Sequence, residues 1–379
     1  MRNNFIIRSE DLKEVCNKIL TAVDSTELSL VTETLELIAK DDILRLGVTN
    51  REYYTEVKFQ LEDIQDFHAT VNAMLFLKLV SQITTDTIEM YIEENTLVVK
   101  GNGTYKLPLI FDGEELLKLP KIIINNVTNT FNIKSEILNS ILTYNSKELT
   151  KGTISKPVQK FYYVDEQGCI TFTNGACVNS FSLEKPIKVL FNNRLVKLFK
   201  LFKEGEVKFT IGYDAISDEV VQTKVKFETP SVTVTAILSC DDTLLNSVPV
   251  NAIRGRANNT YPYSVNLNKS ALIQTINRLT LFNQNSGPYN KSYGTFVFGP
   301  NELIVYDANG VNKEVVRYMN DTSNIETPYE MKLNLVELKT TLETCNESYL
   351  CMNFGDESAA VISRGNIKNV IPEIKLTPA

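Results

Sequence analysis

The sequence predicts an α+β fold made of three tandem repeats, each with two helices packed on an antiparallel sheet. A strand-then-helix opening occurs three times, at residues 5–12, 131–138 and 265–272. Each copy alternates apolar and polar residues and then changes to a helical pattern, at intervals of roughly 130 residues. The predicted modules are residues 1–122, 123–248 and 262–379. Tandem modules usually build an extended or closed surface rather than one catalytic cleft.

The first module opens with a strand and a helix that ends near Leu20. Leu12, Val15 and Ile19 give this helix an apolar stripe, and Ser9 is its expected N-cap. Alternating strands follow on either side of a turn at 40–42. The remaining predicted elements are a helix at 72–83 and strands at 88–92, 97–99 and 105–110.

The second and third modules repeat this order. In the second, strands are predicted at 161–164, 169–173, 207–211, 221–227 and 232–238, with the second helix at 192–202. In the third, strands are predicted at 293–298, 303–306, 311–319, 350–354 and 360–362, with a helix at 333–345 and an apolar tail at 370–376. Asn309–Gly310 is a strong hairpin signal. Segments 121–129 and 241–263 are predicted linkers.

Composition is ordinary for a soluble folded chain, with 43% hydrophobic and 22% charged residues. We expect no membrane span and no secretory signal, because the longest apolar runs are too short for either. The six cysteines lack Cys-x-x-Cys spacing. In a chain without an export signal they are expected to be reduced.

The sequence offers little for catalysis. His68 is the one histidine, so a serine triad or a multi-histidine metal site cannot be built. His68 itself fits a surface or strand-start position better than a general base. No phosphate-binding P-loop motif is present, and the adjacent Asp41–Asp42 pair suits a turn better than a metal, because neighbours on a strand point to opposite sides. We therefore predict a protein that is not an enzyme and uses no cofactor and no metal.

Charge is distributed unevenly along the chain, whose net charge is −7. The predicted helices carry thirteen basic and seven acidic residues, or +6, which leaves −13 for strands and loops. If the helices share one side of a curved sheet, that side attracts phosphate. The candidate phosphate-facing residues are Lys13, Lys18, Lys78, Lys134, Lys147, Lys151, Arg194, Lys197, Lys200, Lys203, Lys269 and Arg278. The alternative is that lysine is simply a good helix former with a solvated charge.

The order of these features resembles that of the bacterial-type sliding clamp, the β subunit of the replicative DNA polymerase, over essentially the whole length. Residues 171–175 stand where that family ends a strand in its middle domain. The segment 187–198 is similar to the strand and helix that follow, and 370–376 resembles the family's apolar, proline-containing tail. Two departures are Ala176 and Cys177, where the family usually has a His-Arg pair, and Asp241–Asp242 in a linker that is often basic and aromatic.

The resemblance implies a head-to-tail homodimer that closes into a ring around double-stranded DNA without sequence preference. It implies DNA polymerase and a clamp loader as partners, and a location in the bacterial cytoplasm or nucleoid. The departures suggest a clamp of a bacteriophage or mobile element, acting in an infected host. It also implies a peptide pocket between domains two and three. The expected pocket residues are Thr173, Gly175, Val178, Leu244, Leu245, Val248, Val370, Ile371, Pro372, Ile374 and Leu376.

For the dimer interface, domain one of one subunit is expected to meet domain three of the other. The candidate contacts are Tyr105 and Leu107 against Leu281 and Phe282. Interior packing within their own domains is the alternative for all four. Two other classes of protein stay open from sequence: a non-enzymatic structural or virion protein of tandem α+β modules, and a nuclease using acids from separate strands.

Overall fold

The computed structural model describes residues 5–23, 29–61, 66–149, 154–215, 221–238, 242–283, 293–319, 324–356 and 358–375. The predicted α+β class is confirmed: strands pair antiparallel in each sheet, and helices pack on them. The predicted positions of Lys151 and Leu376 lie outside the described residues.

The first third of the chain alternates strands with two helices. Its elements are β1 (Phe5–Arg8), α1 (Ser9–Leu20), β2 (Thr34–Lys40), β3 (Ile43–Thr49), β4 (Tyr53–Gln60), β5 (Phe67–Asn72), α2 (Ala73–Gln82), β6 (Thr87–Glu93), β7 (Thr96–Lys100), β8 (Thr104–Pro108), β9 (Phe111–Asp112) and β10 (Glu115–Leu116).

The middle third has short, interrupted helices. Its elements are β11 (Val127–Lys134), α3 (Ser135–Ser140), a π-helical turn (Ile141–Asn145), α4 (Ser146–Glu148), a 3-10 turn (Pro157–Lys160), β12 (Phe161–Asp165), β13 (Gly168–Phe172), β14 (Ala176–Ser180), β15 (Lys188–Asn192), α5 (Asn193–Lys197), a 3-10 turn (Leu198–Leu201), β16 (Glu206–Ala215), β17 (Val221–Glu228) and β18 (Val232–Leu238).

The last third begins with two helices, which lie within the predicted linker 241–263. Its elements are α6 (Asp242–Asn246), α7 (Val250–Ala257), β19 (Tyr263–Asn268), α8 (Lys269–Asn283), β20 (Tyr293–Phe298), β21 (Glu302–Tyr306), β22 (Lys313–Arg317), β23 (Tyr329–Asn334), α9 (Leu335–Glu343), β24 (Tyr349–Phe354), β25 (Ala359–Arg364) and β26 (Ile367–Pro372).

These elements form two compact units. The first comprises Met1–Asn139 and Arg194–Ser239, and the second comprises Ser140–Asn193 and Cys240–Ala379. The first unit holds a four-stranded sheet, β1-β6-β7-β8, and an eight-stranded sheet, β11-β16-β17-β18-β4-β3-β2-β5. The second holds an eight-stranded sheet, β15-β12-β13-β14-β26-β25-β24-β19, and a four-stranded sheet, β22-β21-β20-β23. Because these units divide the middle module, the three-module boundaries stay a prediction.

Each eight-stranded sheet is two four-stranded halves joined edge to edge. In the first unit the join is β18 with β4, and in the second it is β26 with β14. In each half, the strand at the far edge leads directly into a helix. The strands can be matched by their position relative to the strand that leads into the helix and by their order along the chain. On this basis β8 corresponds to β18 and β26, and β22 corresponds to β4 and β14. Among the described strands, β8 and β22 each have one neighbour, so the two four-stranded sheets end in open edges.

The sheets and helices are held together by apolar packing. In the first unit, Phe227 packs against Phe199 and Phe209, with ring centroids 5.1 Å apart in each pair. In the second unit, Phe298 and Phe354 stack with centroids 3.9 Å apart. Rings at these separations add attraction beyond the burial of their area.

Local chemistry explains several boundaries. Asp41 and Asp42 both adopt positive φ, 53° and 59°, which matches the primed turn of a two-residue hairpin between β2 and β3. Asn72 caps α2 by accepting a hydrogen bond from Leu75 N. The prediction for Ser9 was wrong: Arg8 occupies the N-cap position, and the Ser9 hydroxyl instead donates to the Thr85 carbonyl.

Candidate functional site

A mostly apolar surface pocket of about 230 Å³ lies in the second unit, where β14 and β26 pair beside α7. It is lined by Phe172, Thr173, Asn174, Gly175, Ala176, Pro249, Ala252, Ile253, Arg256, Val370 and Pro372. We call it the apolar pocket. Its lining suits the binding of an apolar side chain, because most of these residues are apolar and none is an acid or a histidine.

Polar contacts fix the turn that forms one wall of the apolar pocket. The Thr173 hydroxyl donates to Glu148 Oε1 at 3.1 Å, and Asn174 Nδ2 donates to Glu337 Oε1 at 2.9 Å. Gly175 permits the close approach of β26, because a Cβ there would lie 2.6 Å from the Val370 carbonyl oxygen. The wall is therefore set before any partner binds.

A second, more polar cavity of about 390 Å³ lies on the other side of α7. It is lined by Tyr163, Asp165, Lys188, Leu245, Asn246, Val248, Pro249, Val250, Asn251, Ala252 and Arg254. We call it the polar cavity. Pro249 and Ala252 line both depressions, so α7 is a shared wall.

An ion pair holds α7 against β12. Arg254 Nη1 and Nη2 donate to the two carboxylate oxygens of Asp165, at 2.8 and 2.6 Å. The side chains are 17% and 7% exposed, respectively, so this bidentate pair is largely shielded from water. The Asp165 carboxylate raises the pKa of Arg254 through this hydrogen bond. Because bidentate geometry fixes orientation as well as distance, the pair positions the wall between the two depressions.

The predicted pocket residues do not all line the same surface. Thr173, Gly175, Val370 and Pro372 line the apolar pocket directly. Val178, Leu244, Leu245 and Val248 belong to the apolar cluster beneath α6 and α7, and Leu245 and Val248 also line the polar cavity.

The assignment of Ile371 to the pocket was wrong. Its side chain is 2% exposed and packs in the core beneath α8 and α9, because strand alternation turns it away from Val370 and Pro372. Ile374 lies beyond β26, where its N–H donates to the Lys332 carbonyl, and it does not line the pocket.

The lining residues outside the predicted set come from two places: Phe172, Asn174 and Ala176 flank the predicted turn, and Ala252, Ile253 and Arg256 lie on α7, next to Pro249. Arg256 follows Ile253 by three residues and Ala252 by four, which puts it on the same side of the helix as both. The spacing was visible in the sequence, but Pro249, Gly255 and Pro262 favoured a loop there.

The corresponding face of the first unit is polar. Thr210, Lys226, Thr235 and Tyr54 form one row across β16, β17, β18 and β4, and they line a cavity of about 410 Å³. In the second unit, the equivalent row across β24, β25, β26 and β14 reads Asn353, Val361, Val370 and Ala176. An apolar ligand therefore has a matching surface in the second unit.

The candidate phosphate-facing residues differ in how free their charges are. Lys197, Lys200 and Lys203 are exposed on or just after α5 and its 3-10 turn, and they form no ion pair with the described residues. We call these three the α5 lysines. Lys78, Lys134 and Lys147 are also exposed, and Lys13 is half-buried.

Other members of the set are held by neighbours. Arg278 forms two hydrogen bonds with Glu314, at 2.7 and 2.6 Å, which lowers the pKa of that carboxyl. Lys269 Nζ donates to the Cys345 carbonyl at 2.7 Å. Lys18 lies 2.7 Å from Glu14, and Arg194 lies 3.6 Å from Glu52. The α5 lysines are thus three exposed members of the set that lie close together in the chain.

The candidate interface residues also differ in exposure. Tyr105, Leu281 and Phe282 are 37%, 62% and 50% exposed, whereas Leu107 is 2% exposed. Leu107 thus has the interior packing that the sequence left open as an alternative. Tyr105 lies on the open-edged strand β8.

No described helix has the length and hydropathy to cross a bilayer. No group of three or more His, Cys, Asp or Glu side chains in the described ranges is arranged to hold a metal ion.

Comparisons with known proteins agree with the predicted resemblance. The chain aligns with a sliding clamp (DNA polymerase III subunit beta) from Pseudomonas aeruginosa, bound to griselimycin, with a TM-score of 0.78, 15% identity, and coverage of 99% of this chain and 100% of that one. The DNA polymerase sliding clamp of Bacillus subtilis gives a TM-score of 0.77 and 15% identity, with 100% of both chains covered. The Helicobacter pylori beta clamp bound to a DNA ligase peptide gives 0.72 and 16%, with 98% of this chain and 100% of that one covered.

These alignments define the class: the chain has the sliding-clamp fold over nearly its whole length. The particular relative found by sequence is the beta sliding clamp of Mycoplasmopsis pulmonis, 27% identical over 145 residues. That match spans 38% of this chain and 35% of the relative's length. No family model matches the chain. The resemblance to the bacterial-type clamp is confirmed, and the chain is a divergent example of its fold.

Proposed function

We propose that this chain is a DNA sliding clamp, a non-catalytic processivity factor that encircles double-stranded DNA as a ring of two copies. Three modules per chain, at 1–122, 123–248 and 262–379, give a six-module ring. Through the apolar pocket it tethers a replicative polymerase and other replication proteins, and a clamp loader places it on DNA. It acts in the bacterial cytoplasm or nucleoid, including that of a phage-infected host.

One observation carries the proposal: each chain has two half-sheets with open edges that correspond to edges joined elsewhere in the same chain. The β18–β4 and β26–β14 joins are antiparallel pairings of equivalent strands. The matching pair left over is β8 and β22. Head-to-tail pairing of β8 in one copy with β22 in the other completes an eight-stranded sheet at each of two seams. Such heterologous contacts close into a ring when the rotation between copies permits it.

Exposed apolar side chains near these edges support the same arrangement. Tyr105 lies on β8, and Val315 lies on β22 and is half exposed. Leu281 and Phe282 lie in the last turn of α8. Burial of such side chains against a second copy removes apolar area from water and stabilises the seam.

The α5 lysines are the proposed principal DNA contacts. Their ammonium groups are free to meet phosphate, whereas Arg278 and Lys269 are held by protein partners. Phosphate contacts position a protein on the duplex without reading its sequence. A ring that holds DNA by topology needs only such weak contacts, which is compatible with sliding.

The test is retention on DNA of defined topology. The protein is loaded on nicked circular plasmid and on the same plasmid after linearisation, and both are passed through a sizing column at 0.3 M salt. A ring stays with the circle and runs off the linear ends, and it stimulates a cognate polymerase on primed circles. Equal retention on both templates, or a monomer in sedimentation at micromolar concentration, would refute the proposal.

A further inference from the structure

We propose that the apolar pocket and the polar cavity together take an acidic peptide segment. One apolar side chain enters the apolar pocket, and neighbouring carboxylates are held by Arg256 and Lys188. This inference rests on the proposed function, because it names the kind of segment that the tethering site accepts.

The charge of the two linings carries the inference. Among the residues that line the apolar pocket, Arg256 is the one charged side chain. The polar cavity adds Lys188, Arg254 and Asp165, of which the last two neutralise each other. The combined lining is therefore net positive in a chain whose overall charge is −7. A segment that carries negative charge next to an apolar residue matches this surface, and like charge elsewhere on the chain disfavours other docking positions.

Arg256 is free to play this part, and Arg254 is not. Both lie on α7, but residues two apart on a helix point in different directions. Arg254 is turned to Asp165 and anchors the helix. Arg256 is exposed at the pocket and forms no ion pair with the described residues. Lys188, at the start of β15, is likewise exposed and without an ion pair in the described ranges.

The shared wall makes one segment able to reach both charges. Pro249 and the exposed Ala252 lie between the two depressions and line each of them. A peptide that crosses this low wall keeps its apolar side chain in one depression and its carboxylates within reach of both cations.

The experiment compares two fluorescein-labelled nonapeptides by anisotropy with the full-length protein. One has a central leucine flanked by aspartates, and the other has asparagines in place of the aspartates. On the unaltered protein, we expect the aspartate peptide to bind about fivefold more tightly or better at low salt, and the preference to shrink as salt is raised. In the double variant R256Q/K188Q the preference should disappear, while the dissociation constant of the asparagine peptide stays within about twofold of its original value.

Two controls accompany the double variant. R256K keeps the charge and should keep most of the preference. K160Q removes an exposed charge of the same unit that lines neither depression, and it should leave both peptides unaffected. The inference is overturned if the unaltered protein binds both peptides equally, if it binds neither, or if R256Q/K188Q retains the preference. Retention on circular DNA in the same preparation separates these failures from a failure of the clamp assignment, because it requires no peptide.

Discussion

Val370 and Ile371 are adjacent on β26, yet their side chains belong to opposite sides of the sheet. Val370 lines the apolar pocket, and Ile371 is buried in the core beneath α8 and α9. The two positions therefore predict different phenotypes for neighbouring substitutions.

Substitution of Ile371 by alanine is expected to destabilise the second unit without acting on the binding surface. Loss of a fully packed isoleucine side chain costs about 2–5 kcal/mol, from lost burial and the cavity left behind. Urea unfolding followed by tyrosine fluorescence measures this change. A variant with unaltered stability but lost peptide binding would show that Ile371 faces the pocket after all.

Substitution of Ala252 is expected to have the opposite effect, with peptide binding lost and stability unchanged. Ala252 is exposed and lines both depressions, so A252R should fill the shared wall while leaving the fold intact. We expect peptide affinity to fall at least about tenfold, through steric exclusion and like charge next to Arg256. Polymerase stimulation should fall with it, and retention on circular DNA should not change. Normal stimulation by A252R would place the tethering site elsewhere. S182R, at an exposed position of the same unit that lines neither depression, is the matched control and should leave peptide affinity unchanged.

Reversal of the α5 lysines is predicted to weaken the hold on DNA. The triple variant K197E/K200E/K203E should dissociate from circular plasmid at least about tenfold faster, because it replaces free phosphate contacts with repulsion. The salt dependence of retention should also become shallower. A control of equal charge change, K118E/K160E/K185E, alters exposed lysines outside this set and should leave retention near its original value. Equal loss in both triples would mean that net charge, not α5, controls retention.

The structure makes a different prediction for Arg278. Its guanidinium is engaged by Glu314, so R278Q should change retention by less than about twofold. The substitution removes an exposed ion pair, for which a small stability change is the normal outcome. A loss of retention comparable to that of the α5 triple would show that the pair opens in favour of phosphate.

The proposed seam can be tested without unfolding the chain. Leu281 and Phe282 are 62% and 50% exposed, so L281E/F282E should be tolerated within the second unit but not against a second copy. Sedimentation velocity is expected to show monomers at concentrations where the unaltered protein is dimeric. An unaltered sedimentation coefficient would show that these two residues lie outside the interface. Y349E, which alters another exposed aromatic residue of that unit, is the control, and the same dissociation in this variant would also contradict the assignment.

Asp214 supplies a pH-dependent prediction for the first unit. It accepts hydrogen bonds from Lys224 and from the backbone N–H groups of Asn125 and Asn126, which lower the pKa of its carboxyl to about 2. Since this pKa is below its value in the unfolded chain, the stabilisation is present above about pH 4 and is lost as the pH falls towards 2. Urea titrations between pH 2 and 5 should show a flatter pH dependence for D214N than for the unaltered protein. The exposed D112N is the control, and parallel curves for D214N would contradict the assignment.

The sequence predicted much of this fold because its signals were local. The strand at 232–238 and the helix after Asn72 follow from alternation and an N-cap, which act within a few residues. The joins β18–β4 and β26–β14 could not be derived that way, since strand partners far apart in sequence are chosen by packing. Only part of the apolar pocket was predicted, because some of its lining depends on contacts between residues far apart in sequence. Thr173 and Val370 were found by resemblance, whereas Ala252 and Arg256 depend on a short helix stabilised through the distant Asp165.

The open edges of β8 and β22 set how a ring of this kind would respond to dilution. The joins within a chain are reinforced by the covalent segment that connects their halves, so their strength does not depend on concentration. A seam between copies has no such connection, and its occupancy follows mass action. We therefore expect that dilution alone separates the two copies at these seams, while the joins within each polypeptide stay intact.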